Sequence, residues 1–223
     1  MNYTQKSEDF GSGIAKFNLT IDGTEREFQY RKGTADEVII VQTLQNSAYD
    51  VGRTARGGGI IALYKQPVAQ GRRPLIIDTA AEIGASAVLF ACKFPNARVV
   101  AVEADPAKFA LLTANTVDPP IQCIQAAIGV RSSAHSATPC VTVNDICAQA
   151  PDSTLLLVKL DVEACDIFTA DTEWVARTPV IVAALSDYLV PGTPASRAFV
   201  HHAAGWDRDF IYLEDTIFRS AVN

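Results

Sequence analysis

Hydrophobic and polar positions follow one period at the start of the chain and then another. In residues 16–30 apolar and polar side chains alternate on both sides of Asp22-Gly23, a pair suited to the positive φ angles of a tight turn. This pattern predicts an N-terminal β-hairpin. Residues Thr34-Ala35-Asp36-Glu37 have the spacing of a capping box, and apolar residues continue at helical spacing, so we expect a helix from about 34 to 45.

A run of glycines, Arg56-Gly57-Gly58-Gly59, precedes an apolar stretch in residues 60–64. The run lacks the Lys-Ser/Thr pair that completes a phosphate-binding loop. The sequence therefore predicts a flexible turn at this place and not a nucleotide-binding loop.

From Pro74 onward, apolar runs of strand length alternate with helical segments. We expect strands in residues 75–77, 98–102, 121–128, 155–160 and 180–185, with helices near 84–94, 106–116, 165–171 and 196–204 and an irregular link after 128. Continuous apolar strands separated by helices predict a parallel sheet that is covered on both faces. Two further short strands, in 210–213 and 217–222, have no helix between them, which predicts an antiparallel end to the sheet.

Length and composition limit the class of protein. The chain has 223 residues, of which 48% are hydrophobic, enough for one α/β domain with a sizeable core. Within it we expect residues 1–65 to form a hairpin and helix extension that packs on a core of residues 66–223. A net charge of −6, without a run of Lys or Arg, argues against a nucleic acid as partner.

Cysteine usage and hydropathy bear on the compartment. The five cysteines are odd in number and form no C-x-x-C pair, so neither a disulfide framework nor a metal site is indicated. No apolar stretch approaches the length that crosses a bilayer, and the polar start of the chain has no secretory pattern. We expect a cytoplasmic protein without membrane contact.

Candidate binding residues follow the predicted strands. In an open parallel sheet, ligands lie beyond the carboxyl ends of the strands, where the strand order reverses direction. The first strand leads into a turn from Asp78 to Ser86, and the second ends at Glu103, where a carboxylate can bind both hydroxyls of a ribose. The turn has a single glycine, Gly84, which argues against a nicotinamide dinucleotide. A carboxylate at position 78 suits the methionine part of a sulfonium cofactor better.

Several segments, in order, resemble the FkbM family of S-adenosylmethionine-dependent methyltransferases. The matching segments are YRKGTADE at 30–37, LIID at 75–78 with GAS at 84–86, FPNARVVAVEADP at 94–106, LLTAN at 111–115 and KLDVEA at 159–164. The resemblance extends from about Tyr30 to Pro191. It implies a Rossmann-like class I methyltransferase fold: a mostly parallel seven-stranded sheet with an antiparallel C-terminal strand, preceded by the N-terminal hairpin and helix.

The same resemblance implies methyl transfer from S-adenosylmethionine, by in-line displacement, to an oxygen of a sugar or natural-product small molecule. By position, Asp78 would hold the methionine end of the cofactor and Glu103 its ribose. The catalytic residues would be Asp161, Glu163 and Asp187. The other cofactor-binding residues would be Ala80, Glu82, Gly84, Ser86, Ala104, Gln125, Ala126 and again Asp161. The hairpin can serve as a lid or as a homodimer contact, and the sequence leaves both open.

The chain departs from the family pattern on the cofactor side. In the turn pattern D-x-G-A-N-x-G, Ala80 stands at the first glycine and Glu82 at the asparagine. A Cβ at position 80 costs up to about 1 kcal/mol if the backbone needs a positive φ there. The carboxylate of Glu82 can attract the sulfonium or repel the carboxylate of the cofactor, according to its direction.

The acceptor side departs as well. Ala164 replaces the glycine after Glu163, and Asp166 can stand in for a nearby glutamate of the family. Residues 184–187, ALSD, occupy the place of E-L-H-D, so that of the two carboxylates and the imidazole only Asp187 remains. These changes support an alternative function: a methyltransferase-fold protein that has lost catalysis and acts as a binding or accessory protein.

Overall fold

The N-terminal residues form a three-stranded antiparallel sheet. The computed structural model describes residues 2–9, 13–21, 24–129, 138–161, 172–184, 195–204, 209–213 and 216–220. The strands β1 (Asn2–Asp9), β2 (Ile14–Ile21) and β3 (Thr24–Arg31) lie in that order. The pairing of β2 with β3 confirms the hairpin, whose turn at 22–23 lies outside the described residues. The strand β1 was not predicted.

The helix expected at about 34–45 is confirmed, with a change of geometry half-way. It consists of α1 (Ala35–Ile40) and a π-helical turn, Val41–Gln45. The Thr34 side chain accepts a hydrogen bond from the Asp36 amide at 3.2 Å, and the Glu37 carboxylate accepts one from the Gly33 amide at 3.0 Å. The first bond satisfies an amide that the helix start leaves without a partner, and the second bonds the helix to the residue before its cap.

The expected flexible turn at 56–59 is wrong, because the glycines form the first turn of the helix α2 (Gly57–Ala69). A Cβ on Gly57 would lie 2.5 Å from the carbonyl oxygen of Gly52, in the short helical turn Val51–Arg53. Glycine therefore allows the two helical segments to meet. Ile60 and Tyr64 are buried, and this packing outweighs the low helix propensity of the glycines.

Seven strands form the central sheet, in the order β11-β12-β10-β9-β4-β5-β6. These are β4 (Arg73–Thr79), β5 (Arg98–Glu103), β6 (Gln122–Gln125), β9 (Ser153–Asp161), β10 (Val180–Ala184), β11 (Asp209–Leu213) and β12 (Thr216–Ser220). A separate parallel pair consists of β7 (Ala127–Ile128) and β8 (Cys140–Val141). The remaining helices are α3 (Ala85–Lys93), α4 (Pro106–Asn115), α5 (Val143–Ala148), α6 (Glu173–Arg177) and α7 (Ala195–Ala203).

The strand directions decide the fold class. β12 runs antiparallel to both of its neighbours, β10 and β11, whereas β4, β5, β6, β9 and β10 are parallel. With β4 between β9 and β5 and the antiparallel strand next to the edge, this is the Rossmann-like fold of class I methyltransferases, as predicted. Where we expected an irregular link after residue 128, the structure has β8 and α5. The helix expected near 165–171 lies outside the described residues.

Apolar side chains cover both faces of the sheet. On one face, Val158 and Ile181 belong to a cluster that includes Trp174 of α6 and Phe199 of α7. On the other, the cluster includes Ile76 of β4 and residues of α2 and α3. A third cluster joins the N-terminal sheet and α1 to α3 and α4. None of the helices in the described part is long and apolar enough to cross a membrane.

Candidate functional site

The turn between β4 and α3 has a left-handed backbone at three positions. The φ angles are 47° at Ala80, 54° at Glu82 and 95° at Gly84. These positions coincide with the Gly, Asn and Gly of the D-x-G-A-N-x-G pattern, which are the residue types that adopt this conformation most readily. The backbone therefore has the turn to which the pattern is suited, although two of its residues are replaced. An L-residue in this conformation costs about 1–2 kcal/mol.

Gly84 also allows close packing of two helices. A Cβ at this position would lie 3.0 Å from Cδ1 of Leu112 and 3.2 Å from Cγ2 of Thr116, both at the end of α4 or just after it. Together with the positive φ, this contact requires glycine at the start of α3. Position 84 thus has a structural reason to be glycine, whatever its part in binding a ligand.

Asp78, at the end of β4, is fully buried and has two partners within the protein. The Ser86 hydroxyl donates a hydrogen bond to its Oδ2 atom at 2.6 Å. The Nζ atom of Lys159, in β9, lies 3.0 Å from its Oδ1 atom in an ion pair. Both oxygens of the carboxylate that we expected at the methionine end of the cofactor are therefore in contact with side chains of the chain itself.

Lys159 is charged inside the protein. Burial lowers the pKa of Lys159, but Asp78, Tyr49 and Asp161 together outweigh this effect, so the pKa lies above its usual value. The ring of Tyr49 lies over the ammonium group, with 5.1 Å from Nζ to the ring centroid. Burial, partly opposed by the charge of Lys159, raises the pKa of Tyr49 to about 12, which leaves its phenol neutral at physiological pH.

The residues expected around the adenosine lie together at the ends of β5 and β6. The Glu103 carboxylate is 5% exposed and accepts hydrogen bonds from two backbone amides, those of Glu82 at 2.9 Å and Asp105 at 2.8 Å. Its backbone carbonyl accepts from the Ala126 amide at 3.1 Å. Gln125 pairs with Glu103 in the sheet, and Ala104 follows directly. Glu103 thus connects the β4 turn to the predicted adenine side.

The carboxylate of Glu82 is directed to α4. Its Oε2 atom lies 2.5 Å from Nζ of Lys108. Burial raises the pKa of Glu82 against the opposing effect of this ion pair. The sequence left the direction of this carboxylate open, and the structure assigns it a cationic partner on the helix that follows Glu103.

A cavity of about 50 Å³ lies at the carboxyl ends of β4 and β9. Its lining comes from the N-terminal segment (Ile39, Gln42, Thr43, Tyr49), from the β4 turn and α3 (Ala81, Glu82, Ser86) and from the end of β9 (Lys159, Asp161). Cofactor pockets measure about 300–1,000 Å³, so this one has room for water molecules only. The strand ends and the turn suit an adenosine cofactor, but its methionine end fits only if the wall formed by residues 39–49 moves.

Several solved structures resemble this chain in structure, at low sequence identity. A putative O-methyltransferase from Klebsiella pneumoniae is 14% identical over 76% of this chain and 81% of its own, with a TM-score of 0.48. A putative caffeoyl-CoA O-methyltransferase from Staphylococcus aureus is 11% identical over 84% and 98%, with a TM-score of 0.43. The precorrin-6y C5,15-methyltransferase from Geobacter metallireducens is 15% identical over 71% and 84%, with a TM-score of 0.42.

The fold class rests on the strand order. No protein-family model matches the chain, and no curated protein matches its sequence. The similar solved structures have TM-scores below 0.5, so no residue role comes from them.

The predicted catalytic residues are only partly within the described chain. Asp161, the last residue of β9, is half-buried and lines the cavity beside Lys159. Glu163, Ala164, Asp166, Ser186 and Asp187 lie outside the described residues, so their roles stay predictions. Among the residues that the structure describes, no group of three or more His, Cys, Asp or Glu side chains is placed to hold a metal ion.

Sequence reasoning missed the partners of the acidic residues. It assigned no role to Tyr49, Lys108 or Lys159, nor to Gln42 and Thr43 of the π-helical turn. For Lys159 a signal existed, because it is the one charged residue between Thr154 and Leu160, in a strand with both faces covered. A cation at such a position predicts a buried acidic partner. The π-helical turn has no comparable sequence signal, although such turns are frequent at functional sites.

We expect Ala80→Gly to increase the free energy of unfolding by about 0.5–1 kcal/mol, because glycine removes the left-handed strain while its freedom in the unfolded chain offsets part of the gain. The midpoint of urea unfolding measures the effect. The matched control is Ala81→Gly, since Ala81 does not have a positive φ and is buried, so its replacement should lower the midpoint. A lower midpoint for Ala80→Gly would contradict the assigned backbone strain.

Proposed function

We propose that the chain binds S-adenosylmethionine beyond the carboxyl ends of β4 and β5 and transfers its methyl group to a hydroxyl oxygen of a sugar or natural-product small molecule. The observation that carries this proposal is the left-handed turn at positions 80, 82 and 84, bonded through the Glu82 amide to Glu103 at the end of the next strand. The resemblance of the turn and strand ends to the FkbM family supports the same function.

Adenosine binding would use the residues at the ends of β5 and β6. Glu103 would accept hydrogen bonds from the ribose hydroxyls. Ala104, Gln125 and Ala126 would border the adenine. The two backbone amides that already donate to Glu103 do not prevent this, because each carboxylate oxygen has two lone pairs. Access requires the side of the turn next to Glu103 to open, since this carboxylate is 5% exposed.

The reactive end would lie at the cavity. The bound cofactor supplies an activated methyl group on sulfur. Asp161 lines this cavity, and its carboxylate would accept the proton of an acceptor hydroxyl. Ser86 and the polar groups of Gln42 and Thr43 would contact the methionine part after the wall at 39–49 has moved. Glu163 and Asp187 stay further candidates from the resemblance.

Calorimetric titration with S-adenosylmethionine and S-adenosylhomocysteine tests the proposal. We expect micromolar affinity, about −8 kcal/mol. Glu103→Gln keeps the shape but removes a charged acceptor, so binding should weaken by about 1.5–3 kcal/mol, or roughly 10- to 150-fold. The matched control is Glu173→Gln, an exposed change on α6, which should leave the affinity unchanged. Absence of wild-type binding at millimolar ligand would refute the proposal.

A second candidate function is that of a binding or accessory protein without methyl transfer. The observations that favour it are the engaged carboxylate of Asp78 and the small volume of the cavity. The double variant Ala80→Gly/Glu82→Asn separates the two functions. A large gain in cofactor affinity would support a degenerate site, whereas a loss would support a site adapted to these residues. The cytoplasmic location, the lack of a nucleic-acid partner, a homodimer and the division at residues 65 and 66 stay predictions.

A further inference from the structure

Lys159 has more partners than an ion pair with Asp78 requires. Its Nζ atom also donates hydrogen bonds to the backbone carbonyls of Thr79 at 3.3 Å and Ala80 at 3.1 Å. The ammonium group therefore forms an ion pair with residue 78 and hydrogen bonds with the carbonyls of residues 79 and 80. The Thr79 hydroxyl in turn donates to the backbone carbonyl of Lys159 at 2.9 Å. The end of β9 is thus bonded to the start of the turn in both directions.

We propose that Lys159 is a positioning residue, whose ammonium group holds the carbonyls of Thr79 and Ala80 and so keeps the β4 turn in the left-handed conformation that a ligand meets. We call these contacts the Lys159 clamp. A strained backbone persists only where its surroundings fix it. The clamp fixes the backbone at position 80, and Glu103 fixes it at position 82 by accepting a hydrogen bond from the Glu82 amide.

Burial makes the clamp effective. Lys159 is 2% exposed, so bulk water competes little for its donors. The ring of Tyr49 covers the ammonium group from the side of the N-terminal segment. In a buried place, hydrogen bonds from a cation to carbonyls are stronger than at the surface. The conformation of the turn is therefore coupled to the charge on β9.

The alternative is that Lys159 only neutralises Asp78. The two cases differ in whether Lys159 and the strain at Ala80 are coupled. If the clamp holds the strained conformation, the turn relaxes without it, and glycine at position 80 no longer brings the same gain. If Lys159 is only a counter-ion, the gain from glycine is independent of it.

A double-mutant cycle in urea unfolding tests the clamp without any ligand. The variant Asp78→Asn/Lys159→Met removes both charges together, which avoids a lone buried charge. We expect the rise in midpoint caused by Ala80→Gly to fall to less than half in this background. Equal rises in both backgrounds would overturn the proposal.

A second readout rests on the proposed function. If the wild type binds S-adenosylmethionine, Asp78→Asn/Lys159→Met should weaken binding at least 10-fold, because the backbone of the turn is no longer fixed. Unchanged affinity would exclude a role of the clamp in binding. If the wild type does not bind the cofactor, the proposed function fails, and the unfolding midpoints still decide whether the clamp exists.

Discussion

Lys159→Met is expected to lower the free energy of unfolding by about 3–5 kcal/mol, because it leaves the charge of Asp78 buried without a cation. Asp78 is fully buried and Lys159 is 2% exposed, so bulk water compensates little for the lost partner. Methionine keeps the length of the side chain, and the loss therefore reports on the charge and the hydrogen bonds of Lys159 rather than on packing. Urea unfolding followed by circular dichroism at neutral pH measures it.

The control for this prediction is Asp78→Asn in the same chain. The double variant Asp78→Asn/Lys159→Met has no lone buried charge, so it should recover most of the stability that Lys159→Met loses. Two results would contradict the assignment: a single variant within about 1 kcal/mol of the wild type, or a double variant no more stable than Lys159→Met alone.

Asn115→Ala is the second change for which we expect a large loss, about 2–4 kcal/mol, because it leaves three backbone groups without their partner. The Asn115 side chain accepts a hydrogen bond from the Gln29 amide at 2.7 Å and donates to the Gln29 carbonyl at 2.9 Å. It also donates to the Ile83 carbonyl at 2.8 Å, within the β4 turn. One amide thus extends β3 as a neighbouring strand would and joins it to the turn.

Thermal and urea unfolding measure this loss, and amide hydrogen exchange at Gln29 locates it. The matched control is Asn18→Ala, an exposed position on β2, where we expect a change within about 0.5 kcal/mol. If the exchange rate at Gln29 stayed the same in Asn115→Ala, the side chain would not be the partner that protects it.

The strands of the central sheet could be predicted because they are buried on both faces. β4, β9 and β10 therefore appear as continuous apolar runs. β1 has no such pattern, since its sequence is NYTQKSED, and it is recognisable only by its backbone pairing with β2. The glycines of α2 failed as a turn signal because the packing of Ile60 and Tyr64 and the close approach of Gly57 to Gly52 are not local features of the sequence.

The candidate site was predictable in position but not in its contacts. Asp78, Glu103 and Asp161 end their strands as the apolar runs indicate. Their partners come from distant parts of the chain, and no local pattern connects Lys159 with Asp78 or Lys108 with Glu82. The cost of a positive φ at Ala80 could be stated in advance, because the pattern has glycine there. The same conformation at Glu82 follows only from the backbone.

The separation of β4 and β9 along the chain also sets the order in which the protein can be completed during synthesis. Thr79 and Lys159 are 80 residues apart. At about 5–20 residues per second, a ribosome needs roughly 4–16 s to add the residues between them. Until then the nascent chain has no β9 to pair with β4 and no cation to pair with Asp78. We therefore expect chains stopped before residue 159 to expose β4 and to depend on chaperones, while the last third of the sequence completes a turn that was synthesised much earlier.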